Sequence, residues 1–489
     1  MNSHIASNPI SLSYVAALRG VKPRHPGEAF AYADVACADP ELLSCLAASN
    51  PEGKFYGIVA DETARSAAAE NARLHGVSNI TFFSGAAGMN ALPSLNYLCC
   101  DESKKPLSAV ARQTLFDLAQ KLLQPGGLFQ YTYRAYDKAD GALRFLVREL
   151  APEMNAEQAA TFLKELKTLG AQHLERHAGT AAKLEQGIES NLPDAFFSAY
   201  DDGAATSGSF DTIVALNPRG FAYAGDSDIP TNYIELSVPV EAQNLIDGLR
   251  QHVLYEQIKD YVLDRSIRSD VWCRQPVPQT NVTAELFGPF VYGIPMQRSD
   301  VPTEIQAKGK LIDLNSPLYT RLIDLMTMMP VSIGDFLSHP TGEEFEPTEV
   351  VGAMQILVAC GLAQPMRGVR EANNVTSVAQ PRLVGDFNRY LDKTSVTGGD
   401  LWMSSPVLGG AVSLSARDAL VMQALGRAGL ADSVSALLPE LERLAKNPAQ
   451  AAAIMDVAEP TAEIAQHMIQ DVVAKSIVQW YAYGLLEAA

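Results

Sequence analysis

Between residues 30 and 133 short apolar runs alternate with helix-length amphipathic stretches, and this alternation limits the fold more than any other feature of the chain. Strand-like runs fall at residues 30–35, 54–59, 80–83, 97–100 and 128–133. Helical stretches fall between them at 41–49, 62–75 and 107–123. Strands joined through helices of this length form right-handed crossovers, so the strands lie parallel in one sheet with helices on its faces. A doubly wound α/β domain is therefore expected over residues 1–150.

In such a domain the first strand-to-helix turn is the usual place for a nucleotide, because glycines there let the backbone approach the ligand. Here the turn reads Ala36-Cys37-Ala38-Asp39-Pro40 and has no glycine. Asp39 and Pro40 instead suit the N-cap and first residue of the helix that follows.

Farther on the periodicity changes. Residues 141–191 read as helical, with apolar side chains at helical spacing in FLVRELAPEM and ATFLKELKTL. AYDDGAATSGSFD reads as a loop and residues 220–226 as a short strand. Residues 238–263 read as one helix with Glu256 and Asp260 on its polar side. The prolines of residues 275–310 suit a domain connection. PVSIGDFLSHPTGEEFEPTEVVGAMQILVACGLAQP then gives helix, turn, helix and the start of a strand, the outline of a winged helix. Its second helix carries no Lys/Arg cluster, so a structural role is expected and not DNA binding. From Ser415 the chain is Ala/Leu-rich and helical, suited to a small bundle or to assembly. Four segments result: 1–150, 151–275, 276–410 and 411–489.

Of the 489 residues 47% are hydrophobic and 19% charged, with a formal net charge of -18. That charge disfavours nucleic acid and anionic membrane surfaces, both of which demand a basic face. No apolar run approaches the roughly 18 residues of a membrane span, and the start lacks the pattern of a signal peptide. Six cysteines occur without a CxxC pair, which suits reduced, buried thiols and a cytoplasmic protein. His173 and His177 lie four apart with Glu175 between them. That spacing can hold zinc, but no third ligand is evident, so a solvated helix face and no metal are expected.

Several stretches together resemble class I S-adenosylmethionine-dependent methyltransferases. LLQPGGLFQYTY at residues 122–133 is similar to the L-x-P-G-G turn into the fifth strand of that fold. LYEQIKDYVLDRSIRSDVWCR at 254–274 and GFAYAGDSDIP at 220–230 resemble the methyltransferase regulatory domain of bacterial protein-lysine-methyltransferase-like proteins. SPVLGGAVSLS at 405–415 resembles its C-terminal extension. The resemblance implies an α/β fold: a Rossmann-like doubly wound methyltransferase domain, an α+β regulatory domain and a helical, winged-helix-like C-terminal part. It also implies methyl transfer to a protein side chain.

Matched position by position, the resemblance assigns the cofactor site to Asp34, Ala36, Ala38 and Asp61. Asp34 matches the acidic residue before the turn and serves as a backbone tether. Ala36 and Ala38 stand where glycines are expected, and alanine at a φ > 0 position costs on the order of 1 kcal/mol. Val59 stands where an acid would grip the ribose hydroxyls, so Asp61, two residues on, substitutes only if the turn shifts. Ala86 stands where an acid would pair with the adenine amine. At the end of the fourth strand the sequence reads Cys100-Asp101-Glu102-Ser103. Asp101 and Glu102 are candidates for a general base or for holding a cationic amine, or else cap the strand end. Tyr131, Tyr133 and Tyr136 follow where such tyrosines line the acceptor pocket, and Tyr133 completes the catalytic candidates; core packing explains them as well.

The leading reading is a methyltransferase-fold protein with a degraded S-adenosylmethionine site, acting as a non-catalytic subunit or regulator of a protein methyltransferase system. The alternative is an active methyltransferase that holds the cofactor in an altered pose. A third keeps the pocket for another small ligand. The cofactor is thus S-adenosylmethionine or none. The expected partner is a protein, either a paralogous methyltransferase or a substrate, with no nucleic acid, no membrane and a possible oligomer.

Overall fold

A computed structural model describes residues 7–25, 27–103, 107–135, 156–176, 208–276, 283–308, 310–368, 381–393, 396, 401–446 and 460–488. Tyr136, His177 and, of the helical stretch expected at 141–191, residues 141–155 and 177–191 lie outside the described residues.

The alternation read from the sequence is the alternation that forms. Helix α1 (Pro9–Leu18) is followed by β1 (Phe30–Asp34), α2 (Pro40–Ser49), β2 (Gly53–Val59), α3 (Glu62–Leu74) and β3 (Ile80–Ser84). The short α4 (Gly85–Asn90), β4 (Leu95–Asp101), α5 (Ala109–Leu122) and β5 (Leu123–Arg134) complete the series. With β6 (Phe221–Asp226) and β7 (Ile267–Arg274) the strands make one seven-stranded sheet in the order β3-β2-β1-β4-β5-β7-β6. β1 pairs in parallel with β2 and β2 with β3, whereas β7 runs antiparallel to both β5 and β6. A central, mostly parallel sheet flanked by helices is the Rossmann-like arrangement that the alternation predicts.

Two boundaries differ from expectation for local reasons. β5 begins at Leu123 and takes in the PGG turn; Gly126 has φ 79, a left-handed value that glycine holds without a Cβ clash. The helix expected at 238–263 is two helices, Val240–Gly248 and Tyr255–Leu263. Turns at 249–254 separate them, with the His252 Nδ1 accepting from the Leu254 amide (3.1 Å).

By its internal contacts the chain divides into two units. The first holds residues 1–97, 278–303 and 314–489. In it the strands Val291–Gly293, Val331–Ser332 and Gln364–Met366 form a small antiparallel sheet with Val291–Gly293 in the middle. Helices Ile333–Ser338 and Pro347–Ala359 precede its last strand, so the helix, turn, helix and strand order of the sequence is present. The C-terminal core is built from Ala416–Ala445, Ala462–Lys475 and Ile477–Ala482, around buried Leu420, Leu437, Leu441 and Trp480. Gly429, at φ 70, divides the longest of these helices. A terminal strand, Leu486–Ala488, pairs with Pro381–Leu383.

The second unit holds residues 98–277 and 304–313. Among its described residues the helices are α5, α6 (Ala156–Thr168), α7 (Gln172–Arg176), α8 (Ser209–Leu216), α9 (Ile234–Ser237), α10 (Val240–Gly248) and α11 (Tyr255–Leu263). Phe162, Leu166, Leu174, Ile246, Ile258 and Tyr261 form its apolar helical core. None of the six cysteines forms a disulfide; five are buried and Cys360 is half-buried, which agrees with their reading as packing residues. No described helix is long and apolar enough to cross a membrane.

Candidate functional site

In the first unit the turn after β1 is tied by its own side chains. The Ala36 amide donates to Asp34 Oδ1 (3.0 Å), and the Cys37 amide to the Ile58 carbonyl (3.1 Å). The Leu42 amide donates to Asp39 Oδ1 (2.9 Å), so Asp39 caps α2 and Pro40 opens it, as the sequence predicts. Asp34 acts as the expected tether. Among the described residues only Asp264 and Gln275 have positive φ without being glycine. Neither Ala36 nor Ala38 therefore pays the left-handed penalty expected of it. The Asp34 carboxylate folds the turn back on itself in a path that L-residues hold without strain.

The second oxygen of Asp39 accepts from Trp402 Nε1 (3.2 Å). Trp402 lies on Leu401–Ser405, which forms a hairpin with Gly410–Leu414. The hairpin is also fixed at the far end of α2. Ser49 Oγ donates to the Gly410 carbonyl (2.9 Å) and accepts from the Ser405 amide (3.1 Å), and Asn50 Nδ2 donates to the Gly409 carbonyl (2.7 Å). Asp39→Ala removes the cap and the indole's partner together. It is expected to cost about 1–2 kcal/mol in urea unfolding, with Asp39→Asn recovering most of the loss. No loss in the alanine variant would mean that water replaces both bonds.

Asp61 caps α3, its Oδ1 accepting from the Ala64 amide (2.8 Å). Val59 is buried at the end of β2, paired in register with Ser84. Neighbouring Glu62 pairs with Arg65 (2.5 Å) and accepts from Ser84 Oγ (3.2 Å). Ala86 lies in α4. Burial pushes the Cys37 thiol far up, and the Asp34 and Asp39 carboxylates push it further. Glu41 is raised by burial and by Asp39. The Cys37 sulfur thus stays protonated and is not a nucleophile.

In the second unit the three catalytic candidates have separate surroundings. Asp101 is exposed, and its Oδ1 accepts from the Ser103 amide (2.8 Å). Glu102 is buried: Oε2 accepts from the Leu107 amide (2.8 Å), and Oε1 from Arg112 Nε (3.2 Å) and the Tyr131 hydroxyl. Tyr133 is fully buried and donates to Asp270 Oδ2 (2.7 Å), its ring stacked on Tyr131 with centroids 4.8 Å apart. Burial first, then Glu102 for Tyr131 and Asp270 for Tyr133, raise both phenols, so each remains a neutral donor. Glu102 and Tyr133 therefore belong to two different hydrogen-bond groups.

Tyr133 leads into a buried charge cluster. Arg268 donates through Nε to Asp270 Oδ1 (2.9 Å), through one terminal nitrogen to both oxygens of Asp260 (2.7 Å each), and through the other to the Tyr223 hydroxyl (3.0 Å) and Glu256 Oε2 (3.2 Å). Lys259 pairs with Glu256 (2.7 Å) and Arg265 with Asp226 (2.7 Å). Burial raises Asp270 most, partly offset by Arg268, and brings it up to about 6. A planar guanidinium reaching four partners is the geometry in which arginine has no substitute.

Residues 207–274 match the family described as "Predicted methyltransferase regulatory domain". The whole chain has the fold of PKMT2 from Rickettsia typhi, with a TM-score of 0.63 at 15% identity over 99% of this chain and 98% of that one. The chain thus has a methyltransferase-like fold. PKMT2 in complex with AdoHcy matches equally, with a TM-score of 0.62 at 16% identity over 99% of this chain and 98% of that one. No curated protein matches.

The Arg268 cluster falls inside the segment that matches the regulatory domain. The sequence puts Glu256 and Asp260 on the polar side of their helix; both are buried against Arg268. The missed signal is the alternation of Arg268, Asp270 and Trp272. Two charges at period two on the face of a buried tryptophan must find partners inside. His173 is corrected likewise. It is fully buried and hydrogen-bonds Asp264 Oδ1 (2.7 Å), whose other oxygen takes Arg176. Among the described residues no cluster of metal-ligating side chains occurs.

Proposed function

We propose that this chain is a methyltransferase-fold protein whose S-adenosylmethionine site is degraded, acting as a non-catalytic subunit or regulator of a protein methyltransferase system. One observation carries the reading. Asp34, Asp39 and Asp61, the acids at the carboxyl ends of β1 and β2, each hold a backbone amide of this chain, and Val59 stands buried where a ribose acid would be needed. The residues present do not fit the cofactor, because Asp61 would have to leave the start of α3 to reach a ribose. The buried Glu102 and Tyr133, engaged by Arg112, Tyr131 and Asp270, suit structural support better than proton transfer.

The expected partner is a protein, either an intact paralogous methyltransferase or its substrate, and the net charge of -18 favours a basic surface on it. Cytoplasmic residence fits six cysteines that form no disulfide. Calorimetry with S-adenosylmethionine and S-adenosylhomocysteine is expected to give no heat of binding up to millimolar ligand; micromolar binding would overturn the proposal. A second reading, an active enzyme with an altered cofactor pose, is favoured by the full-length likeness to PKMT2 in complex with AdoHcy. It would rely on Asp61 for the ribose and on exposed Asp101 for the acceptor.

A further inference from the structure

Seven charged side chains are gathered where α11 lies over β7 and β6, nearly all of them out of contact with water. The carboxylates are Asp226, Glu256, Asp260 and Asp270; the cations are Lys259, Arg265 and Arg268. Asp226, Asp260, Asp270 and Arg268 are at most 1% exposed. Four negative charges thus face three positive ones, and the surplus charge lies where water cannot screen it. A buried unpaired charge is costly enough that a group changes protonation to avoid it.

Asp270 is the group on which the surplus falls. Glu256 has Lys259 as well as Arg268, Asp226 has Arg265, and Asp260 holds one whole nitrogen of Arg268 with both of its oxygens. Asp270 has only Arg268, shared with the rest, and the neutral hydroxyl of Tyr133. The groups facing it are Arg268 on its own strand, Tyr133 on β5, Asp226 and Tyr223 on β6, and Glu256, Lys259 and Asp260 on α11. Arg265 in the turn before β7 completes the set, with Asp228 just beyond Asp226. Burial acts in the same direction on Asp260 and Asp228, which are also raised.

We propose that the Arg268 cluster is a proton-operated switch in the regulatory segment: one proton held at Asp270 balances the cluster, and its loss loosens α11 from β7. The inference does not depend on the state of the cofactor turn, since every residue in it lies in the second unit. Its sign follows from the direction of the shift. Asp270 is raised from an ordinary 3.8 to about 6, so its contribution to stability is fully present below pH 3.8 and is lost as pH rises through about 6. Acidification therefore tightens α11, contrary to the acid weakening usual for a paired carboxylate.

The test is hydrogen exchange of the full chain, followed by mass spectrometry between about pH 5 and about pH 7.5, with rates corrected for intrinsic pH dependence. Protection of residues 255–263 is expected to fall about tenfold across that range. In Asp270→Asn, which fixes the neutral state, protection should stay flat. Tyr133→Phe removes a donor that favours the charged carboxylate, so the fall should move to higher pH. This second variant decides the matter if the first does not fold. Unchanged protection in the wild type would overturn the proposal. So would an Asp270→Asn profile that follows the wild type, or a Tyr133→Phe midpoint that stays or moves down.

Discussion

Arg268→Met is expected to lower the free energy of unfolding by about 3–5 kcal/mol, the range found when one partner of a buried ion pair is removed. Without the guanidinium, Asp260 loses bonds to both of its oxygens and Asp270 loses its only cation. Lys259 and Arg265 stay with Glu256 and Asp226 and are not free to move in. Arg268→Lys should recover little, because a single ammonium group cannot reach Asp260, Asp270, Glu256 and Tyr223 together. Urea unfolding monitored by circular dichroism reads the loss directly. Adding Asp260→Asn and Asp270→Asn to Arg268→Met should restore part of the stability, since removing a whole buried ion group costs far less than orphaning half of it. A loss below about 1 kcal/mol in the single variant would mean that water enters the cluster and solvates the carboxylates.

How legible this molecule is in its sequence depends on whether the deciding contact is local. The strands and helices of the α/β domain follow from period two against period 3.6, and each expected element from β1 to β5 formed. Asp39 and Pro40 were readable as a helix start because a cap bonds three residues away. The break at 249–254 was not readable, since that stretch has no proline and its turn bonds run between backbone groups and to the His252 ring. Glu256, Lys259 and Asp260 have the spacing of a solvated helix face. Only Arg268, on the next strand, makes that face an interior one. His173 failed for the same reason, with Asp264 supplied from 91 residues on. At the β1–α2 turn the missing glycines were plain in the sequence, whereas the self-bonding of Asp34 and the indole of Trp402 on Asp39 needed the fold.

The triple variant Ala36→Gly, Ala38→Gly, Val59→Asp is expected to gain affinity for S-adenosylhomocysteine by about fivefold to a hundredfold over the wild type. The estimate takes the one restored polar contact, the ribose acceptor, as roughly 1–3 kcal/mol. The two glycines open left-handed backbone to a turn that now avoids it. The aspartate supplies the ribose acceptor without drawing Asp61 from the cap of α3. Val59 is buried, so a carboxylate there without ligand lies in an apolar setting and the free variant should melt lower than the wild type. Ligand that satisfies the carboxylate should return that loss, which makes the thermal shift a sensitive readout. The wild type should show no shift with the same ligand. A folded triple variant that also shows none would mean that the β1–α2 turn was never a cofactor turn, because the geometry offered is then not the geometry that was lost.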